Sequence, residues 1–170
     1  MKKIEIEIPE GKEVQWVGDT LKLVDIEKPI TERIKTFEDA FNLCYNPTLM
    51  QEYVNNKNAS ADLVAYLKLR IIVAALNEGW EPKFEKGVYR YFPWFYFCTK
   101  EEYSKLNDKE HCVFHSSSNV YLHYGFVYCN ANNHSSGSYP VGGSRLVFKT
   151  KELAEYAGKQ FIDIYADFYL

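Results

Sequence analysis

Arginine is scarce in this chain: Arg33, Arg70, Arg90 and Arg145 are its only four in 170 residues. Lysine and arginine together number 20 against 23 acidic side chains, for a net charge of −3. A dedicated nucleic-acid binder needs a surplus of basic groups to displace counterions, and none exists here. A charge this small equally excludes a polyanionic mimic of DNA. Long hydrophobic runs are also missing; nothing approaches the roughly 18 apolar residues of a membrane helix. After Met1-Lys2-Lys3, Glu5 and Glu7 interrupt the apolar stretch that a signal peptide requires. The expected compartment is the cytoplasm.

Cysteine is sparse and unpaired in pattern. Cys44, Cys98, Cys112 and Cys129 form no Cys-x-x-Cys, so neither a redox pair nor a zinc knuckle is signalled. No Gly-x-Ser-x-Gly elbow occurs for a serine nucleophile. Val141-Gly142-Gly143-Ser144-Arg145 resembles a phosphate loop only superficially. Such a loop opens a helix, whose free N–H groups meet the anion, whereas these glycines feed a strand. Apolar residues at 46% and charged residues at 25% are ordinary globular usage. A chain of this length buries about 70% of its unfolded surface, enough to fold as one domain (1–170) without disulfide or metal.

Aromatic side chains, by contrast, are abundant. They make up 16% of the chain, with 14 Tyr, 11 Phe and 3 Trp. Tyr89, Tyr91, Phe92, Trp94, Phe95, Tyr96 and Phe97 crowd one short stretch. Rings suit a β-rich core, and Tyr and Trp also carry a polar tip suited to a contact surface.

Periodicity predicts the elements. Ile4, Ile6 and Ile8 alternate with glutamates as in a half-exposed strand. Val14–Val17 and Leu21–Val24 flank Gly18-Asp19-Thr20, a hairpin signal. Thr36 is placed to cap a helix through Phe41, and Pro47 to open another through Tyr53. Ser60 to Gly79 brackets a helix that is apolar on almost every side, hence central and covered. Residues 88–97 read as a strand, with Pro93 requiring an edge or a bulge. Thr99 and Glu102 match a capping box. Residues 120–129 alternate as a strand, 130–143 read as a polar loop, and 145–148 as a last strand. Thr150 then caps a single C-terminal amphipathic helix carrying Leu153, Ala157, Phe161, Ile164 and Phe168 on one stripe. The fold class that follows is α+β: an antiparallel sheet, an N-terminal hairpin, a central buried helix and a C-terminal amphipathic helix.

Three chemistries remain open on these residues. His111 and His115 would share one metal if helical, but would stand about 13 Å apart on a strand. Cys112 or Cys129 with His123 would make a nucleophile and base only if the fold brought them together. Arg90 and Arg145 lie in or beside the aromatic half. With Tyr91, Trp94, Tyr96 and Tyr124 they form the candidate binding set, by ring stacking and a guanidinium grip. No catalytic residue, metal or cofactor is implied.

The block from Gly143-Ser144-Arg145-Leu146-Val147-Phe148 through Glu155-Tyr156-Ala157-Gly158-Lys159-Gln160-Phe161 adds a resemblance. Together with Tyr66–Arg70, Gly79-Trp80-Glu81-Pro82 and Tyr91-Phe92-Pro93-Trp94-Phe95, it resembles small proteins of gut Bacteroidetes and their phages. The matching blocks span a third to a half of the chain and leave out roughly Asn107 to His134. The resemblance implies a phage or prophage setting, with action in the host cytoplasm, and carries over no catalytic residue. The function expected is that of a non-enzymatic accessory protein binding a host or virion partner through an aromatic surface. Binding of a small ligand such as a nucleotide is the alternative, and a metal- or cysteine-dependent hydrolase using His115, His123 and Cys112 is a third.

Overall fold

Glycine at position 18 takes φ +62°, and around it the chain reverses between β1 (Lys12–Val17) and β2 (Thr20–Asp25). In this computed structural model, residues 7–83, 85–107, 111–116, 123–134 and 145–169 are described, with 114–116, 123, 124 and 134 described for their backbone only. The hairpin register pairs Val14 with Leu23 and Trp16 with Leu21, placing four apolar side chains on one face. An ion pair between Lys12 and Asp25 closes the open end at 3.0 Å. The expected strand over residues 4–8 lies mostly outside the described residues, and Glu7 and Ile8 are irregular.

A short helix, α1 (Ile30–Arg33), is followed by α2 (Phe37–Asn42) and α3 (Pro47–Asn56). Thr36 and Asp39 cap α2 reciprocally, each side chain accepting from the other's backbone N–H. Asn46 caps α3 by accepting from Leu49 N at 2.9 Å. The central helix, α4 (Ala61–Leu76), buries Ala65, Leu67, Leu69, Ile71, Ile72, Val73, Ala75 and Leu76. That breadth of burial is what its nearly uniform apolar surface predicts. It packs against α2, α3 and the C-terminal helix. Ser60 stands at its N-cap and makes no side-chain capping bond.

Antiparallel pairing builds a sheet in the order β3-β5-β4 from β3 (Arg90–Thr99), β4 (Cys112–Ser116) and β5 (His123–His134). The register steps between Trp94 and Phe95, next to Pro93, so the proline sits on an edge strand beside a bulge. Asn130–His134, expected to be loop, continue β5 opposite Arg90–Trp94. Their polar side chains hid a strand that the β3 backbone holds through the ladder. The rest of the expected loop, 135–143, lies outside the described residues. The expected strand over 145–148 reduces to a single bridge, Tyr91 with Phe148, bonded both ways at 3.0 and 2.7 Å.

Thr99 and Glu102 form the expected capping box of α5 (Lys100–Lys105). Thr150 caps α6 (Lys151–Gln160), and the expected single helix breaks at Phe161 before α7 (Ile162–Tyr169). The break rotates the buried stripe. Leu153, Ala157 and Phe161 are buried as expected, but beyond the break Ile162, Tyr165 and Ala166 turn inward, leaving Ile164 and Phe168 at the flank. Both helices cover the sheet face carrying Pro93, Phe95, Phe126 and Tyr128. There Phe95 lies 4.6 Å from Phe126 and 4.8 Å from Tyr165 between ring centroids.

Candidate functional site

With that face turned inward, the period of two sends Phe92, Trp94, Tyr96 and Cys98 to the opposite side of β3. The ladder sets Tyr96 opposite Val127, and Val127 opposite Cys112, so these three side chains form one row across the sheet. Both ends of this outer face are covered. At one end Cys98 is buried beneath α5. A Cβ on Gly125 would stand 2.6 Å from both Cys98 Sγ and the Tyr103 ring, so only glycine admits α5 there. At the other end Arg90 is buried, and its Nη1 donates to Lys83 O at 3.2 Å. Between the covers Trp94 and Tyr96 stay open, 41% and 40% exposed, with Cys129 exposed and Cys112 half-buried beside them.

The two rings of this window carry no charge of their own, and Glu102 is the charged group that acts on Tyr96. Desolvation, then the neighbouring Cys98, Cys112, Cys129 and Glu102, raise the Tyr96 phenol above its ordinary value. It therefore remains a neutral hydrogen-bond donor at pH 7. Burial and Glu102 raise the Cys98 thiol likewise, which keeps it protonated and unreactive. On the inner face, desolvation first and Glu155 second push Tyr128 up to about 12.

The six candidate binding residues do not share one surface. Trp94 and Tyr96 form the open window. Arg90 lies beneath the segment leading into β3, and Tyr91 is half-buried against the core while its backbone bridges Phe148. Arg145 is exposed on the flank of β3 away from β5, and Tyr124 stands in the ladder opposite Thr99 and His115. A grip by Arg90 beside stacked rings therefore has no support in the geometry. Cys112 and Cys129, candidate nucleophiles by sequence, join the window because of the register, a long-range property that spacing does not reveal.

Residues 112–116 are a strand, so His111 and His115 do not share a helical face. His123 pairs with Ser116 while Cys112 pairs with Val127, a separation along β5 of about 13 Å at the usual strand rise. Among the described residues no group of three His, Cys, Asp or Glu side chains is placed to hold a metal ion. No described helix is long and apolar enough to cross a membrane. Neither a family model, nor a curated protein, nor a solved structure matches the chain.

Proposed function

We propose that this is a non-enzymatic accessory protein that binds a protein partner through the outer face of its sheet. The window of Trp94 and Tyr96 carries the reading. It is an indole and a neutral phenol, flanked by two thiols, on a rigid ladder between two covered ends. Contact-surface centres are depleted in charge and enriched in Trp and Tyr, which supply area at low entropy cost. The resemblance to proteins of gut Bacteroidetes and their phages supports a host or virion protein as the partner, met in the host cytoplasm.

Cys129, exposed beside Tyr96, offers a reporter. An environment-sensitive fluorophore on Cys129 should respond when a fraction of host lysate supplies the partner. The Trp94→Ala/Tyr96→Ala variant should neither respond nor retain the partner on a column, while Tyr45→Ala, at an exposed ring elsewhere, should behave as wild type. Retention of the partner by the double variant, or no partner for the wild type, would defeat the proposal.

A further inference from the structure

A second aromatic site lies on the helical side of the molecule. Phe37 and Phe41 are one turn apart on α2, as are Glu38 and Asn42, and Tyr53 of α3 faces them across the helix pair. These five residues line a cavity of about 200 Å³. The three rings are tilted to one another by 56° to 62°, with centroid separations of 6.0 Å (Phe37–Phe41), 5.0 Å (Phe37–Tyr53) and 5.9 Å (Phe41–Tyr53). Tyr53 thus meets both phenylalanine rings edge to face, and the three rings form a compact cluster rather than a stack. Separations of this size put the three centroids on a circle of radius about 3.3 Å, so one cation can stand within about 6 Å of all three.

Charge complementarity selects the occupant. Glu38 on the rim is exposed and has no ion pair among the described residues. Lys68 Nζ stands 5.5 Å from the Phe37 centroid, outside the cavity, which Lys68 does not line. Half-buried rings desolvate whatever enters. A hydrated primary ammonium therefore gains less than one whose hydrogens are replaced by methyl groups. We propose that Phe37, Phe41, Tyr53 and Glu38 form a binding site for a methylated ammonium group, the rings holding the methyl-bearing cation and the carboxylate neutralising it. The group can belong to a free quaternary amine or to a trimethylated lysine side chain.

The test is titration of the full chain, by calorimetry and ligand-observed NMR, with choline, with its neutral carbon isostere 3,3-dimethylbutan-1-ol, and with a short peptide carrying trimethyllysine. The two cations should bind at least about fivefold more tightly than the isostere, the increment expected of a cation–π contact. Glu38→Gln and Phe41→Leu should each weaken choline binding by about fivefold or more while leaving the melting temperature able to report a folded protein. The tighter of the two cationic probes identifies the source of the group. Trp94→Ala should leave this binding unchanged, which separates the site from the sheet window. Equal binding of choline and its isostere, no binding of either cation at about 10 mM, or full affinity in Glu38→Gln would overturn the proposal.

Discussion

Gly158 of α6 is where the helical layer touches the sheet most closely. A Cβ there would stand 2.6 Å from Pro93 Cβ and 2.7 Å from two atoms of the Tyr128 ring. On intrinsic propensity alone, Gly158→Ala should stabilise the helix interior by about 1 kcal/mol. Overpacking opposes it, at about 1–3 kcal/mol, and the upper end applies because the methyl meets a rigid pyrrolidine ring and a confined phenol together. The net expectation is a loss of about 2 kcal/mol, equivalent for a chain of this size to about 4–8 °C in melting temperature. Thermal melts followed by circular dichroism measure it directly. Because Tyr128 is one of the two displaced groups, the same substitution should cost less in a Tyr128→Leu background, a coupling that a double-mutant cycle isolates. A melting temperature unchanged or raised by Gly158→Ala would refute the close seating of α6 on Pro93 and Tyr128. The assignment of inner and outer sheet faces, and with it the Trp94 window, would fall too.

Three further outcomes are expected. Asn77 is buried, donating to Val147 O at 2.9 Å and accepting from Lys149 N at 3.0 Å. Asn77→Ala orphans both partners, so denaturant melts should show a loss of about 2–4 kcal/mol, and a loss below about 1 would contradict that role. Trp16 is 70% exposed on the hairpin, and Trp16→Ser should change stability by less than about 0.5 kcal/mol; a larger drop would mean the hairpin packs on the body. Alkaline titration should be biphasic, because burial raises Tyr128 to about 12 and raises Tyr156, Tyr165 and Tyr169 as well. Folded values above an unfolded value of about 10 leave stability intact below that pH and remove it as pH rises towards 12. Phenolate absorbance should therefore gain its last component only as the fold is lost, and a single transition near pH 10 with circular dichroism unchanged would contradict the burial.

Local chemistry was legible where it acts locally. The Thr36, Thr99 and Thr150 caps and the Gly18 turn all rest on interactions within a few residues, and each appears in the structure at the expected position. The all-round apolar surface of α4 foretold its central place for the same reason. What failed depended on partners far away in the chain. Asn130, Asn132 and Asn133 look like loop by composition, yet the β3 backbone enlists them in a ladder. Residues 145–148 look like a strand, yet among the described residues only Phe148 makes a β-bridge, with Tyr91. The spacing of the C-terminal stripe implies one straight helix, and the break at Phe161 moves its second half onto Ile162, Tyr165 and Ala166.

The aromatic excess shows the same division. Composition determined that the chain carries many rings and concentrates them after Tyr89, and alternation determined that neighbours in the strand must face opposite ways. It could not determine which way. That choice belongs to tertiary packing: α6 and α7 settle on the face of Pro93, Phe95 and Tyr128, α5 and the segment before β3 cover the ends of the other face, and Trp94 and Tyr96 are left between them. Burial is a property of what arrives from elsewhere in the chain, so an isolated strand reports the period of its side chains but not the sign of their exposure.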